Sequence, residues 1–150
     1  MFRGSHLARV DEKFRLKVPA EYKRHVDEFY GSQQFYITSR DGKTAQVYPM
    51  KEWEKVEDDM RAISEFDPVR IKFFKTTSYY GQVVEMDSQG RLLLPQKLRE
   101  SAKLKEEVLV SGSLSYLDVE NHELMAPDAV GMTQADLQAM AELLKQEKAN

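Results

Sequence analysis

Two stretches decide the fold: Asp11-Glu12-Lys13-Phe14-Arg15-Leu16-Lys17-Val18-Pro19-Ala20-Glu21-Tyr22-Lys23 and Asp87-Ser88-Gln89-Gly90-Arg91-Leu92-Leu93-Leu94-Pro95-Gln96-Lys97-Leu98-Arg99. They align without a gap at a constant offset of 76 residues over thirteen positions. Both carry the Asp, an Arg four residues on, a Leu next, an apolar residue two later, a Pro, and a Lys or Arg at the end. An internal repeat of this kind marks a duplicated supersecondary unit. The segments that follow agree in type. Phe35-Tyr36-Ile37-Thr38 and Val108-Leu109-Val110-Ser111 are apolar strand candidates, and Gln46-Val47-Tyr48 and Tyr116-Leu117-Asp118-Val119 are plausible second strands. Each half therefore reads as hairpin, short helix, hairpin, and the two together as one pseudo-symmetric α+β unit.

Turn chemistry explains the motif. Asp first and Gly fourth suit a type I turn whose last residue takes positive φ, as Asp87 and Gly90 do in the second copy. Pro95 ends the strand and is expected in the first turn of a helix over 96–102, with Leu98 as its apolar anchor. In the first copy Phe14 stands in the glycine position. A bulky residue is strained at positive φ, so the first turn is expected to be of another type or shifted by one residue. Strand alternation puts Phe14, Leu16 and Val18 on one face and Lys13, Arg15 and Lys17 on the other. The matching outer positions of the second copy are Gln89, Arg91 and Leu93. Three cations on one strand face make the first hairpin the contact surface and the second the more structural one.

Charge partitions in the same way. The chain of 150 residues has a net charge of -3, which on average argues against a polyanionic partner. Residues 1–24, with Arg3, Arg9, Lys13, Arg15, Lys17, Lys23 and Arg24 against three acids, carry +4, and the remainder carries -7. Such asymmetry points to an electrostatic partner for the N-terminal hairpin. Absence of cysteine excludes thiol nucleophiles, thiolate zinc sites and Fe–S ligation, and suits a reducing compartment. No apolar run is long enough to span a bilayer, and no secretory signal is visible, so a soluble cytoplasmic protein is expected.

Between and after the repeats lie helical patterns. Met50, Trp53, Val56, Met60 and Ile63 predict an amphipathic helix over 50–64. Asp67-Pro68 predicts the start of a second, with Val69, Ile71, Phe73 and Phe74 as its apolar content. Thr133 to Asp136 reads as a capping box opening a last helix, with Leu137, Met140, Ala141 and Leu144 as a stripe. These stripes are read as core or subunit interface, the last one also as a docking face. His6, His25 and His122 are scattered, no nucleophile elbow or phosphate-binding loop is present, and neither enzymatic activity nor a metal, cofactor or small-molecule substrate is expected.

With the opening Met1-Phe2-Arg3-Gly4, the paired D-x-x-G-R-x-x-x-P elements and Tyr48-Pro49-x-x-x-Trp53, the chain resembles the MraZ family of bacterial transcriptional regulators, within the AbrB-like swapped-hairpin superfamily. The resemblance covers roughly residues 1–120. It implies two intertwined swapped-hairpin halves over 1–50 and 79–122, forming a β-barrel-like core with linking helices over 51–78 and a loop and C-terminal helix over 123–150. It also implies a ring-shaped homo-oligomer that binds short direct repeats in double-stranded DNA, at the promoter of the division and cell-wall gene cluster, in the nucleoid. Carried over by position, the DNA-contacting motif falls on Asp11 to Pro19, with Arg15 central and Lys13 and Lys17 beside it; Arg3 and Arg9, from the basic N-terminal segment, are expected as further phosphate partners. Asp87, Gly90 and Arg91 form the secondary motif. A hairpin of this kind is expected to enter the major groove as a β-ribbon, Arg15 reading guanine. Two other readings share the fold: a scaffold that binds no DNA, and an antitoxin-like regulator of the superfamily, which ordinarily has one motif copy and a disordered tail.

Overall fold

The computed structural model describes residues 1–149. The first half supplies β1 (Ser5–Val10), β2 (Arg15–Lys17), α1 (Ala20–Phe29), β3 (Gln34–Thr38) and β4 (Ala45–Pro49). Helices α2 (Met50–Arg61) and α3 (Pro68–Tyr79) follow. The second half repeats the pattern in β5 (Gln82–Glu85), β6 (Arg91–Leu93), α4 (Gln96–Ser101), β7 (Glu106–Gly112) and β8 (Leu117–Asn121), and α5 (Gln134–Ala149) closes the chain.

All eight strands join one antiparallel sheet in the order β5-β3-β4-β8-β7-β1-β2-β6. Its two ends approach each other, so the sheet is a nearly closed barrel. The halves are intertwined. β1 pairs with β7, Ser5 to Val10 against Ser111 to Glu106, and β5 pairs with β3 in the equivalent way. The first hairpin of each half is thus completed by the second hairpin of the other. Equivalent strands meet at two places, where Leu16 faces Leu92 and Gln46 faces Asp118. Those pairs mark the pseudo-twofold axis. Leu16 and Leu92 are fully buried there, and the buried Gln46 donates from Nε2 to Asp118 Oδ1 at 3.1 Å.

The core is what the period-2 pattern dictates. Leu16, Val18, Leu92 and Leu94 point inward from the motif segments and meet Tyr22, Val26 and Leu98 from the short helices and Leu104 from the loop after α4, with Phe35, Ile37, Val47, Val108, Val110, Leu117 and Val119 from the second hairpins. Pro95 departs from expectation, and Pro19 adopts the same geometry. Each is extended (ψ 138° and 137°) and stands as the residue before its helix, not within the first turn. Only two residues, Val18-Pro19 or Leu94-Pro95, separate strand from helix, and the proline carbonyl already accepts the first helical bonds, from Lys23 N at 3.0 Å and Arg99 N at 2.9 Å.

The outer helices are shorter or more exposed than the pattern suggests. The helix expected over 50–64 ends at Arg61, leaving Ile63 exposed in the connection, because Asp67 caps the next helix by accepting from Val69 N at 2.9 Å and Arg70 N at 3.1 Å. Trp53 is the buried anchor of α2, stacked 4.6 Å from Tyr36. α3 is tied to β3 by polar contacts, Tyr36 Oη and Thr38 Oγ1 both donating to the Thr77 carbonyl at 2.9 and 2.7 Å. Val69 and Ile71, expected as packing residues, are exposed; Phe73 and Phe74 are half-buried. α5 begins at its capping box, Thr133 and Asp136 exchanging hydrogen bonds at 3.0 and 3.1 Å, yet buries none of its residues. None of the described helices is long and apolar enough to cross a membrane.

Candidate nucleic-acid interface

The two motif turns are built alike. In the first, Phe14 N donates to Asp11 O at 3.0 Å and Asp11 N to Arg15 O at 3.0 Å; Gly90, Asp87 and Arg91 make the same bonds at the same lengths. Asp11 Oδ1 accepts from Lys13 N and Arg15 N while Oδ2 holds Arg15 Nε at 2.9 Å. Asp87 repeats all three contacts with Gln89 and Arg91, its Oδ2 also 2.9 Å from Arg91 Nε. One carboxylate therefore shapes the turn and aims the guanidinium. The backbone N–H of Arg15, and after it the guanidinium, hold the Asp11 carboxyl below the usual carboxylate range, and Arg91 does the same for Asp87.

Phe14 corrects the sequence expectation. The first turn is neither shifted nor of another type: Phe14 adopts φ +64°, beside +76° at Gly90. That backbone also takes Phe14 out of the strand alternation. Leu16 and Val18 are buried, but Phe14 is 42% exposed and does not share their face. The strained position is held by a partner that local sequence cannot reveal. The Arg99 guanidinium lies 3.7 Å from the Phe14 ring centroid, Arg99 Nη1 donates to Leu94 O at 3.3 Å, and Leu94 N donates to Phe14 O at 3.0 Å, closing a loop of contacts. In the other half Lys23, the equivalent of Arg99, lies against Gly90 so closely that a Cβ there would come within 2.9 Å of its Cδ.

Because β2 pairs antiparallel with β6, Arg15 opposite Leu93 and Lys17 opposite Arg91, the two turns flank the ends of one short ladder centred on Leu16 and Leu92. Arg15, Lys17, Arg91 and Leu93 thereby share the outer face of that ladder, Lys17 beside Arg91 and Gly90, with Lys13 in the turn at the other end. Lys17 Nζ donates to the Gln89 carbonyl and so ties the end of β2 to the second turn. Lys13 projects from the first turn with no ion pair among the described residues. Arg9 lies on the exposed face of β1, across from Glu107. Arg3 is remote: it sits at the far end of β1, about 20 Å along the strand, in a cleft with His25, Arg24 and Glu28. Sequence reading gave Lys23 and Arg99 no role, although the repeat alignment ends on that pair; each braces the turn of the opposite half.

Chemistry-bearing groups elsewhere are dispersed. His6 pairs with Glu21 at 3.2 Å, His25 lies 2.9 Å from the α-amine of Met1, and His122 begins a short 3-10 turn. Among the described residues no three His, Asp or Glu side chains are grouped to hold a metal ion.

Comparison with known proteins agrees with this geometry. A family model described as "MraZ protein, putative antitoxin-like" matches residues 81–120. A protein of Acidobacterium capsulatum named transcriptional regulator MraZ is 56% identical over 144 residues, covering 95% of this chain and 98% of that one. The protein of the same name from Koribacter versatilis is 51% identical over 123 residues, covering 82% and 84%. That of Haemophilus influenzae is 33% identical over 132 residues, covering 85% and 87%.

Proposed function

The chain belongs to the MraZ family of transcriptional regulators, and from that premise we propose that it is a sequence-specific DNA-binding repressor. It binds short direct repeats, in the promoter of the division and cell-wall gene cluster, as a ring-shaped homo-oligomer associated with the nucleoid in the cytoplasm. It performs no catalytic step. The observation that carries the reading is the pair of Asp–Arg turns at the two ends of one strand ladder, whose arginines are gripped at Nε by their own aspartates at 2.9 Å. Fixing Nε leaves the two terminal nitrogens of Arg15 to face guanine O6 and N7 from a pre-set direction. Lys13 and Lys17, with Arg9 on the neighbouring strand, pair with phosphates and set register; Arg91 extends the contact from the second turn. A single pair of turns covers few bases. A closed ring of identical subunits repeats it at fixed intervals, so direct repeats are engaged together and the linked contacts multiply affinity. Polymerase is excluded when the occupied repeats overlap its site.

The test is binding to the DNA upstream of the chain's own gene across a salt series. Phosphate contacts give a steep negative slope of log affinity against log salt. Arg15→Ala is expected to weaken binding by about 5- to 150-fold, the equivalent of one lost bidentate base contact. Equal binding by Arg15→Ala, or no binding by the unaltered protein, overturns the reading.

A further inference from the structure

Phe14 is unexplained by the turn that contains it. Gly90 makes the same backbone bonds with no side chain, and an aromatic residue at φ +64° is uphill. The ring is also turned outward: Leu16, Val18, Leu92 and Leu94 of the same motifs are at most 2% exposed, against 42% for Phe14. It sits between Lys13 and Arg15, at the tip of the hairpin. It is not loose, since Arg99 covers one side at 3.7 Å and Leu94 fixes the backbone. What remains is a rigid apolar surface beside a guanidinium whose direction is set by Asp11.

We propose that Phe14 is a specificity-determining residue, its ring packing on the 5-methyl group of a thymine in the major groove next to the base that Arg15 contacts. The inference rests on the DNA-binding reading above and deepens it. Of the base edges in that groove, thymine alone offers a methyl group, and phenylalanine is among the side chains that pack on it. A ring already held in place loses little freedom on binding, so burying one methyl is expressed almost fully as affinity. The twin turn, with Gly90 against Lys23, has no such surface. The two turns of one subunit therefore make unlike demands on the DNA: the first reads thymine beside guanine, the second reads without a methyl contact.

The experiment uses the full chain. A duplex site is selected from a random library by the unaltered protein, then resynthesised with deoxyuridine replacing each thymidine in turn, which removes only the methyl group. One position is expected to show a loss of about fourfold per subunit contact, the equivalent of one buried methyl. Phe14→Gly, which suits the backbone, is expected to bind the thymine and uracil duplexes equally. Phe14→Leu, which keeps apolar bulk without an aromatic face, is expected to keep the preference. Binding with no thymine dependence, or a dependence that survives Phe14→Gly, overturns the inference alone. Failure to select any duplex overturns the DNA-binding reading and the inference with it.

Discussion

The Arg99 guanidinium lies 3.7 Å from the centroid of the Phe14 ring, so a residue on the short helix of one half braces the motif turn of the other. Its counterpart, Lys23, lays its aliphatic stem against Gly90 and reaches on to Asp27 at 2.8 Å. The two contacts occupy equivalent places but differ in chemistry. One is a cation over an aromatic face, the other a methylene chain in the space a side chain would need.

A double-mutant cycle on Phe14→Gly and Arg99→Ala is expected to give a coupling of about 0.5–2 kcal/mol, the range for a cation over an aromatic ring. Phe14→Gly alone is expected to be nearly neutral, because release of left-handed strain offsets the lost contact. Urea denaturation of the four proteins measures both; a coupling indistinguishable from zero would show that the contact stabilises nothing.

Gly90 does not share that tolerance. Gly90→Ala must hold φ near +76° and displace the Lys23 side chain from within 2.9 Å, so a loss of roughly 1–2 kcal/mol is expected. The same measurement made beside Phe14→Gly tests whether the turns have diverged in what they accept.

Leu16 on the pseudo-twofold axis is 0% exposed and faces Leu92. Leu16→Ala leaves a cavity where both halves meet, and a loss of about 2–5 kcal/mol is expected in equilibrium unfolding. The unfolding should stay a single transition, since neither half completes its own sheet.

Acid dependence follows from the two motif aspartates. Both carboxyls are held below the ordinary range, by the backbone N–H of the motif arginine first and its guanidinium after. A depressed folded-state value means that the folded chain binds fewer protons. The contribution is therefore present above the ordinary carboxylate value near 4 and is lost as pH falls through the depressed one. Thermal melts are expected to fall below about pH 4. In Asp11→Asn with Asp87→Asn that slope should flatten, from a lower starting stability at neutral pH.

Removal of residues 133–150 is expected to leave the unfolding free energy of the remaining chain within about 0.5 kcal/mol, because α5 buries no side chain among the described residues. A larger loss, measured at low protein concentration, would mean that the helix packs on something within its own subunit.

The repeat was legible because the side chains that define it act locally. Asp11 and Asp87 close their own turns, Leu16 and Leu92 alternate into the core, and the offset between copies survives intact through the prolines. What sequence reading misplaced depends on distant partners. Phe14 takes a glycine's backbone because of Arg99, 85 positions away in the chain. The apolar residues of α3 and α5 obey helical spacing, yet spacing cannot tell whether the chain itself supplies a face to meet them. Val69, Ile71, Leu137 and Leu144 all stay exposed.

Joining both halves in one chain has a consequence for what such a frame can recognise. Were the halves separate identical chains, the two turns flanking the Leu16–Leu92 pair would be copies of each other, and any change in one would appear in both. Covalent linkage removes that identity while keeping the strand pairing that depends on it. One turn can then carry phenylalanine over arginine and the other glycine against lysine, within a single scaffold. Symmetry governs how the molecule folds, and its breach governs what the paired turns tell apart.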